Sequence, residues 1–293
     1  MTDRIANTSL AQMLINSVQQ DQGNLTNLQQ LLASGMNISK PSDNPTQVNN
    51  LLDVQSALAR SSQMIANAKD GLAMLGVANG AMSSAVNIMQ QARATLLSAG
   101  NSSLPPASIK AIATSLNGNL QSLMDVANTQ YLGVAIFGGT SGATAAYDSS
   151  GNYLGNTTSP TRTVAPGVSL PSSVTDPLGG SGGSNMIVAL NQIVTDLSSG
   201  SPANLQSDIA KFDAAFSNIQ SSAGQIGSQF QEMTSISQQT TLTQQTLSNQ
   251  LGGIQSVDVA AVTTQYQQAM SNYQVTLYAT AKVAQPSLAT YLN

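Results

Sequence analysis

The side chains that most often carry out catalysis or bind metal ions are missing from this chain. It contains no His and no Cys, which excludes imidazole general bases, thiolate nucleophiles and zinc sites built from those ligands. Asp208 and Asp213 lie on one predicted helix, but not at the i, i+3 or i+4 spacing that would bring two carboxylates together. We therefore predict that the chain is not an enzyme and has no cofactor, no metal site and no catalytic residue.

A Gly-rich run, GGSGGS at residues 179–184, is the other segment with possible chemistry. A phosphate-binding loop needs a preceding strand and a Lys followed by Ser or Thr. Neither accompanies this run, so its composition favours a flexible linker.

Polar but uncharged residues dominate the surface that the sequence predicts. Charged residues make up 8% of the chain and the net charge is -4, while Gln, Asn, Ser and Thr are abundant. Without a cluster of Lys and Arg, we expect no nucleic-acid partner and no basic membrane helix. We also expect no secretory signal and no membrane-spanning run, so export would not use a cleaved signal peptide.

Apolar residues recur every seven positions in two long segments. The first runs from Leu51 to Leu96 and the second from Leu205 to Leu251. Such rows form the seam of a coiled coil. They predict a mainly α fold, an elongated helical coiled-coil rod with a small β-rich inserted domain.

Two amides interrupt these seams, Asn79 in the first and Gln244 in the second. A buried amide in a seam can fix the register of the paired helices. Alternatively, the seam meets solvent at that point. Both readings stay open from the sequence.

The segments between and beside the seams complete the predicted organisation. Pro105 and Pro106 stand at the start of a shorter third helix, where proline is tolerated. A stretch rich in Gly, Pro, Ser and Thr predicts short strands and turns. The predicted domains are an N-terminal assembly helix with linker (1–45), rod helices (46–137), the insert (138–202), a second rod helix (203–251) and a C-terminal assembly helix (252–293).

Each end of the chain carries an apolar stripe at helical spacing with nothing of its own to bury it. These stripes need each other and neighbouring molecules, and tyrosine suits such a contact or plain intramolecular packing. The predicted assembly interface consists of Leu14, Val18, Leu25, Leu28, Leu32, Val262, Tyr266, Met270, Tyr273, Leu277, Leu288 and Tyr291.

A proline-rich break separates the first stripe from the first seam. Proline cannot continue a helix and restricts the residue before it, while Ser, Asp and Asn favour turns and helix starts. The predicted hinge or linker consists of Pro41, Ser42, Asp43, Asn44 and Pro45.

Two motifs resemble known sequences. NAKDGLAMLGVANGAM at residues 67–82 and ANTQYLGVAIFGGT at residues 127–140 are similar to segments of the bacterial flagellin family. The resemblance covers about residues 5–140 and 200–293. Within the family, KPSDNP at residues 40–45 resembles the hook-to-filament junction branch more than filament flagellin.

The resemblance implies an extracellular structural adaptor of the bacterial flagellum, secreted through the flagellar type III export apparatus. Its partners would be further copies of itself in a ring, hook-associated protein 1, flagellin and an export chaperone. The ring would form through the terminal helices and join the hook to the filament. An alternative is a short flagellin that forms the filament itself, and another is a coiled-coil spacer of a different secretion machine.

Overall fold

The computed structural model describes residues 2–38, 45–100, 104–180, 185–199 and 205–284. The mainly α fold with a small β insert is confirmed. In chain order the elements are α1 (Thr2–Ser34), α2 (Pro45–Ala99), α3 (Pro106–Ala127), β1 (Gln130–Tyr131), β2 (Val134–Ala135), β3 (Thr161–Ala165), β4 (Val168–Pro171), α4 (Met186–Ser198), α5 (Leu205–Gln255) and α6 (Val259–Ala284).

The chain forms two compact units. The bundle unit is Arg60–Gln244, and the terminal unit combines Met1–Ala59 with Gln245–Asn293. Helices α2 and α5 contribute residues to both units, whereas α3, α4 and all four strands belong to the bundle unit. One hydrophobic cluster, drawn from α2 to α5 and the strands, forms the core of the bundle unit.

The seam predicted for α2 consists of two rows with seven-residue spacing, one from Leu51 to Val86 and one from Val54 to Leu96, and only the row from Val54 is buried along the helix. The row that starts at Val54 is buried at every position. In the predicted partner row, Leu72 and Val86 are only half-buried and Asn79 faces solvent. In their place a row of small residues is buried: Gly71, Ala78, Ala85, Ala92 and Ala99.

The row predicted from Leu51 is therefore wrong at Asn79, which is exposed, and its members from Leu58 onward are otherwise only half-buried. A helix that packs against several neighbours buries a wider face than a two-stranded seam, and small residues let the neighbours approach closely. Of the two seam amides, Asn79 is exposed, so the seam meets solvent at this position. Gln244 donates from Nε2 to Ser62 Oγ at 2.7 Å and so links α5 to α2.

The apolar character of α2 has a second consequence. Gln47–Ala99 is long and apolar enough to pass as a membrane span, contrary to the sequence expectation. Many of its large apolar side chains, Leu75 and Leu96 among them, are fully buried in the core of the bundle unit. The high hydropathy of this helix is thus accounted for by packing within the bundle unit.

Helices α3 and α4 pack against each other. The predicted start of α3 is confirmed, since Pro106 is its first residue. Only strands and turns are predicted for the insert, so α4 is an element that the sequence pattern does not predict. Asn185 Oδ1 accepts hydrogen bonds from the Ile187 and Val188 amides at 2.9 and 3.2 Å, which caps the start of this helix.

The β3–β4 hairpin is held by side chains from α2 and α5. Asn67 Nδ2 donates to the Thr163 carbonyl at 3.0 Å, and Thr240 Oγ1 donates to the Val164 carbonyl at 3.0 Å. Ser61 in turn donates to the Thr240 carbonyl at 3.3 Å. The polar residues buried in this part of the bundle therefore have hydrogen-bond partners, as buried polar groups require.

The two motifs that resemble flagellin segments meet at Asp70. Arg162 Nε of β3 donates to Asp70 Oδ2 at 2.8 Å, and the Tyr131 hydroxyl of β1 donates to Asp70 Oδ1 at 3.1 Å. Burial and the contact with Asp70 raise the pKa of Tyr131, so its hydroxyl keeps the proton that it donates. Asp70 thus joins α2 to both hairpins of the strand region.

The end of α3 is tied to the insert through one amide side chain. Asn128 Oδ1 accepts from the Ala146 and Tyr147 amides at 2.8 and 2.9 Å, and Nδ2 donates to the Tyr147 carbonyl at 3.1 Å. The Tyr147 hydroxyl then donates to Asp176 Oδ1 at 2.8 Å, and burial raises the pKa of Tyr147. These polar contacts connect the end of α3 to the insert, whose buried apolar residues, Val164 and Leu190 among them, belong to the core of the bundle unit.

Gly71 provides a direct test of how closely α2 and α5 approach. A Cβ atom at this position would lie 2.5 Å from Met233 Sδ and 2.9 Å from Met233 Cε. These atoms are the far end of the Met233 side chain, which is flexible but fully buried. Met233 must therefore shift at a cost that offsets the gain in helix propensity, and Gly71→Ala should leave the stability of the bundle unit unchanged or lower it by about 1 kcal/mol. Chemical denaturation followed by circular dichroism measures the change.

Gly76→Ala is the matched control on the same helix. No atom lies within 4 Å of its added Cβ, so we expect a gain of about 0.5–1 kcal/mol from helix propensity. Equal effects of the two substitutions would contradict the close approach at Gly71.

Candidate assembly site

The two terminal helices, α1 and α6, pack against each other within the terminal unit. Gln29, late in α1, contacts Tyr266, early in α6. Asp21, earlier in α1, contacts Thr276, later in α6. The pairing is therefore antiparallel. It brings the two ends of the sequence into one candidate assembly site.

The helix breaks beside this pair are hydrogen-bonded to each other. The Asn37 amide donates to the Gln255 carbonyl at 2.7 Å, and the Val257 amide donates to the Gly35 carbonyl at 3.1 Å. Gly35 has a φ of 67°, which ends α1 in a conformation that favours glycine. The ends of α1 and α5 are thus fixed side by side in the terminal unit.

Helix α6 begins with a side-chain cap. Asp258 Oδ1 accepts hydrogen bonds from the Ala260 and Ala261 amides, both at 3.0 Å. A capping carboxylate satisfies amides that have no partner within the helix and interacts favourably with the helix dipole. The residue before the helix therefore sets where α6 starts.

Two polar contacts cross the interface between α1 and α6. Thr276 Oγ1 donates to Asp21 Oδ2 at 2.9 Å, and Gln29 Nε2 donates to the Tyr266 hydroxyl at 3.0 Å. Asp21 interrupts the apolar stripe of α1, and its partner is the residue opposite. A polar pair inside an apolar seam penalises any shift of one helix along the other, because the shift would separate the two groups.

The predicted interface residues fall into three groups. Val262 is buried. Half-buried side chains are those of Leu14, Val18, Leu25, Leu28, Leu32, Tyr266 and Tyr273, and exposed ones are those of Met270 and Leu277. Leu288 and Tyr291 lie outside the described residues, as do Pro41, Ser42, Asp43 and Asn44 of the predicted hinge, whereas Pro45 is the first residue of α2.

Pairing of α1 with α6 leaves several large apolar side chains exposed to solvent. Met13, Val275 and Tyr278 have exposed fractions of 65%, 65% and 66%. We call these side chains the uncovered apolar set, which comprises Leu10, Met13, Ile15, Val259, Met270, Val275, Leu277 and Tyr278.

Of the uncovered apolar set, the predicted interface includes only Met270 and Leu277. The prediction follows one stripe on each helix, and the other members are not residues of those stripes. Their signal in the sequence is an apolar residue at a position that a helix with one apolar face would leave polar. Side chains that the α1–α6 pairing leaves exposed can be buried only by a further partner.

The charge distribution of the site is nearly neutral. Between Leu10 and the end of α1 the only charged residue is Asp21, and Lys282 is the only one in α6. Lys282 Nζ lies 5.2 Å from the centre of the Tyr278 ring, a cation–π contact. Identical copies of this pair could therefore approach one another with little like-charge repulsion.

Comparison with known proteins supports the resemblance found in the sequence. Residues 5–142 match the bacterial flagellin N-terminal helical region, a range that contains most of α1, all of α2 and α3, and both motifs. The predicted resemblance to the flagellin family is confirmed. No curated protein matches the chain significantly.

Solved structures share the fold at low sequence identity. A putative flagellar hook-associated protein from Vibrio parahaemolyticus is 23% identical with a TM-score of 0.65, covering 73% of this chain and 100% of its own. FlgL from Bacillus cereus is 17% identical with a TM-score of 0.59, covering 68% and 99%. The flagellar junction protein FlgL from Legionella pneumophila is 13% identical with a TM-score of 0.58, covering 70% and 99%.

The contact between Asp21 and Thr276 can be tested by a double-mutant cycle. Thr276→Val removes the donor and should destabilise the α1–α6 pair by about 1 kcal/mol, because Asp21 then lacks that bond inside an apolar seam. Adding Asp21→Leu should restore the loss. Hydrogen exchange of residues 9–34 in the full chain measures both effects, and equal protection in Thr276→Val and wild type would contradict the role of the contact.

Proposed function

We propose that this chain is a structural subunit of the bacterial flagellum. The proposal is supported by the match of residues 5–142 to the flagellin N-terminal helical region and by the fold shared with flagellar hook-associated proteins. It has no catalytic role. Copies of the chain assemble through their terminal helices into the axial structure.

More specifically, we propose that the chain is a hook-filament junction protein of the hook-associated protein 3 type. It forms a ring between hook-associated protein 1 and flagellin, outside the cell, after export in an unfolded state with a chaperone. Two observations support this assignment. KPSDNP resembles the junction branch, and the solved structures with this fold include hook-associated and junction proteins.

The uncovered apolar set is the observation that carries the proposal. Full burial of one large apolar side chain contributes about 1.5–3 kcal/mol, and several such side chains face solvent on the α1–α6 pair. Contacts with a neighbouring molecule would bury these side chains and contribute free energy to assembly. Neighbouring copies in a ring would cover it on both sides.

The proposed interface includes both faces of the terminal pair. The half-buried stripe, with Leu28 and Tyr266 among its members, holds α1 against α6. The uncovered apolar set provides the contacts between copies. In this proposal the predicted residues Met270 and Leu277 belong to the second group, and Leu288 and Tyr291 remain predicted members of the interface.

A short flagellin is the second candidate function, favoured by the match to the flagellin N-terminal region itself. The two functions differ in the product of assembly. A flagellin elongates into long filaments when short seeds are added, whereas a junction protein stops at rings or short oligomers. Electron microscopy of seeded, purified protein separates them, and long filaments of this chain alone would rule out the junction assignment.

A matched pair of variants tests the proposed interface. Val275→Asp places a charge in the uncovered apolar set, at a side chain that is 65% exposed, so the monomer should stay folded while oligomers are lost. Val188→Asp is the control, since Val188 is 51% exposed on α4 of the bundle unit. Sedimentation velocity at high concentration measures the oligomers, and loss in both variants or in neither would contradict the proposal.

The same variants test the function in cells. A deletion strain should retain hooks and release flagellin into the medium, because no junction remains to hold the filament. Wild type and Val188→Asp should restore filaments, and Val275→Asp should not. Normal filaments in the deletion strain would refute the junction function and leave the physical interface test unaffected.

A further inference from the structure

Methionine is the only sulfur-containing residue type in this chain, which has 11 Met and no Cys. Oxidants convert the sulfur atoms of Cys and Met to sulfur oxides, and susceptibility follows exposure to solvent. The exposure of each methionine therefore decides where an oxidant can modify the molecule.

The methionines of the two units differ in exposure. The described methionines of the bundle unit are all buried or half-buried: Met64, Met74, Met82, Met89, Met124, Met186 and Met233. The described methionines of the terminal unit are all exposed: Met13 (65%), Met36 (45%) and Met270 (45%). An oxidant in solution therefore reaches the thioethers of the terminal unit most readily.

Two of the exposed methionines lie on the paired terminal helices. Met13 is on α1 and Met270 is on α6, and both belong to the uncovered apolar set. Met36 lies after the end of α1, where its backbone forms an isolated β-bridge with Ser256. Oxidation of Met13 or Met270 thus changes the polarity of the candidate assembly site, whereas oxidation of Met36 does not.

We propose that peroxide oxidises Met13 and Met270 of the unassembled subunit and that the two sulfoxides prevent assembly. The modification sites follow from the exposure of these two side chains. The effect on assembly rests on the proposed function, in which the uncovered apolar set provides the contacts between copies.

The reaction is an oxygen transfer with two electrons. A lone pair of the Met Sδ atom attacks one oxygen of hydrogen peroxide, the O–O bond breaks and an S–O bond forms. The proton of the sulfur-bound hydroxyl passes to the departing hydroxide, which leaves as water. The sulfur is oxidised and the peroxide is reduced, so a flexible apolar thioether becomes a polar, chiral sulfoxide.

A sulfoxide opposes the burial that assembly requires. A thioether contributes to a contact by removing apolar atoms from water. The sulfoxide oxygen loses its hydrogen bonds to water when it is buried, and within the uncovered apolar set only Tyr278 has a polar side-chain group. Each sulfoxide should therefore weaken the contact between copies by about tenfold.

Assembly should in turn protect the same two side chains, because a neighbouring copy would exclude peroxide from Met13 and Met270. Met36 should react equally in free and assembled protein, since it lies outside the uncovered apolar set. Oxidation would thus act on free subunits and spare those already assembled.

Peptide mass spectrometry after limited treatment with hydrogen peroxide tests the modification sites in the full chain. In dilute, unassembled protein, Met13 and Met270 should become sulfoxides while Met82 and Met233, which are fully buried, stay unmodified. Oxidation of the buried methionines at the same rate, or resistance of Met13 and Met270, would overturn the proposal.

Sedimentation velocity of treated and untreated protein tests the consequence for assembly. Oligomers of the wild-type chain should disappear after treatment and return when methionine sulfoxide reductases reduce both sulfoxide epimers. Leucine cannot form a sulfoxide, so treatment should not change the oligomer content that Met13→Leu/Met270→Leu has on its own. Met36→Leu is the control and should lose its oligomers as the wild type does.

The outcomes separate the oxidation effect from the proposed function. Three results would overturn the effect: unchanged oligomers in oxidised wild type, loss of oligomers on treatment of Met13→Leu/Met270→Leu, or no recovery with the reductases. Absence of oligomers in untreated protein would instead refute the proposed assembly, and the map of sulfoxides then decides the modification sites alone.

Discussion

The packing of this molecule depends on apolar helix surface that only a neighbouring element can bury. A helix becomes stable in water mainly by burying an apolar face against a neighbour. In the bundle unit that requirement is met, because α2 buries rows such as Leu75 and Ala78 in one shared core. In the terminal unit burial is less complete, because the apolar stripes of α1 and α6 are mostly half-buried and Val262 is their only buried member among the described residues.

Polar side chains decide which of the possible apolar pairings is formed. Asp21 with Thr276 specifies one alignment of the terminal helices. Asp70 and Asn67 do the same for the strand region, where they bind Arg162 and a β3 carbonyl. With few charged residues available, the chain relies on hydrogen bonds between neutral and singly charged groups for this specificity.

The elements that can be predicted from the sequence are those in which apolar residues recur at a regular spacing. Helices α2, α3 and α5, the proline at the start of α3 and the buried row of α2 through Ser61 follow from patterns in the sequence alone. The exposure of Asn79 does not, because the number of neighbours around α2, and so the width of its buried face, is a tertiary property. Helix α4 was missed since its apolar stripe lies in a segment dominated by Gly and Ser. Most residues of the uncovered apolar set, such as Met13, are not predicted, because they do not recur at a regular helical spacing.

Because α1 and α6 lie at opposite ends of the sequence, their positions also determine when the two helices can first pair. Helix α1 ends at Ser34 and its partner begins only at Val259, so these contacts have a very large separation along the chain. Loop closure over that distance costs little more free energy than over a shorter one, but it cannot precede synthesis. At about 5–20 residues per second, the ribosome delivers the second helix on the order of tens of seconds after the first. Throughout that interval the first helix has no intramolecular partner, so any factor that binds either end controls the time at which the pair closes.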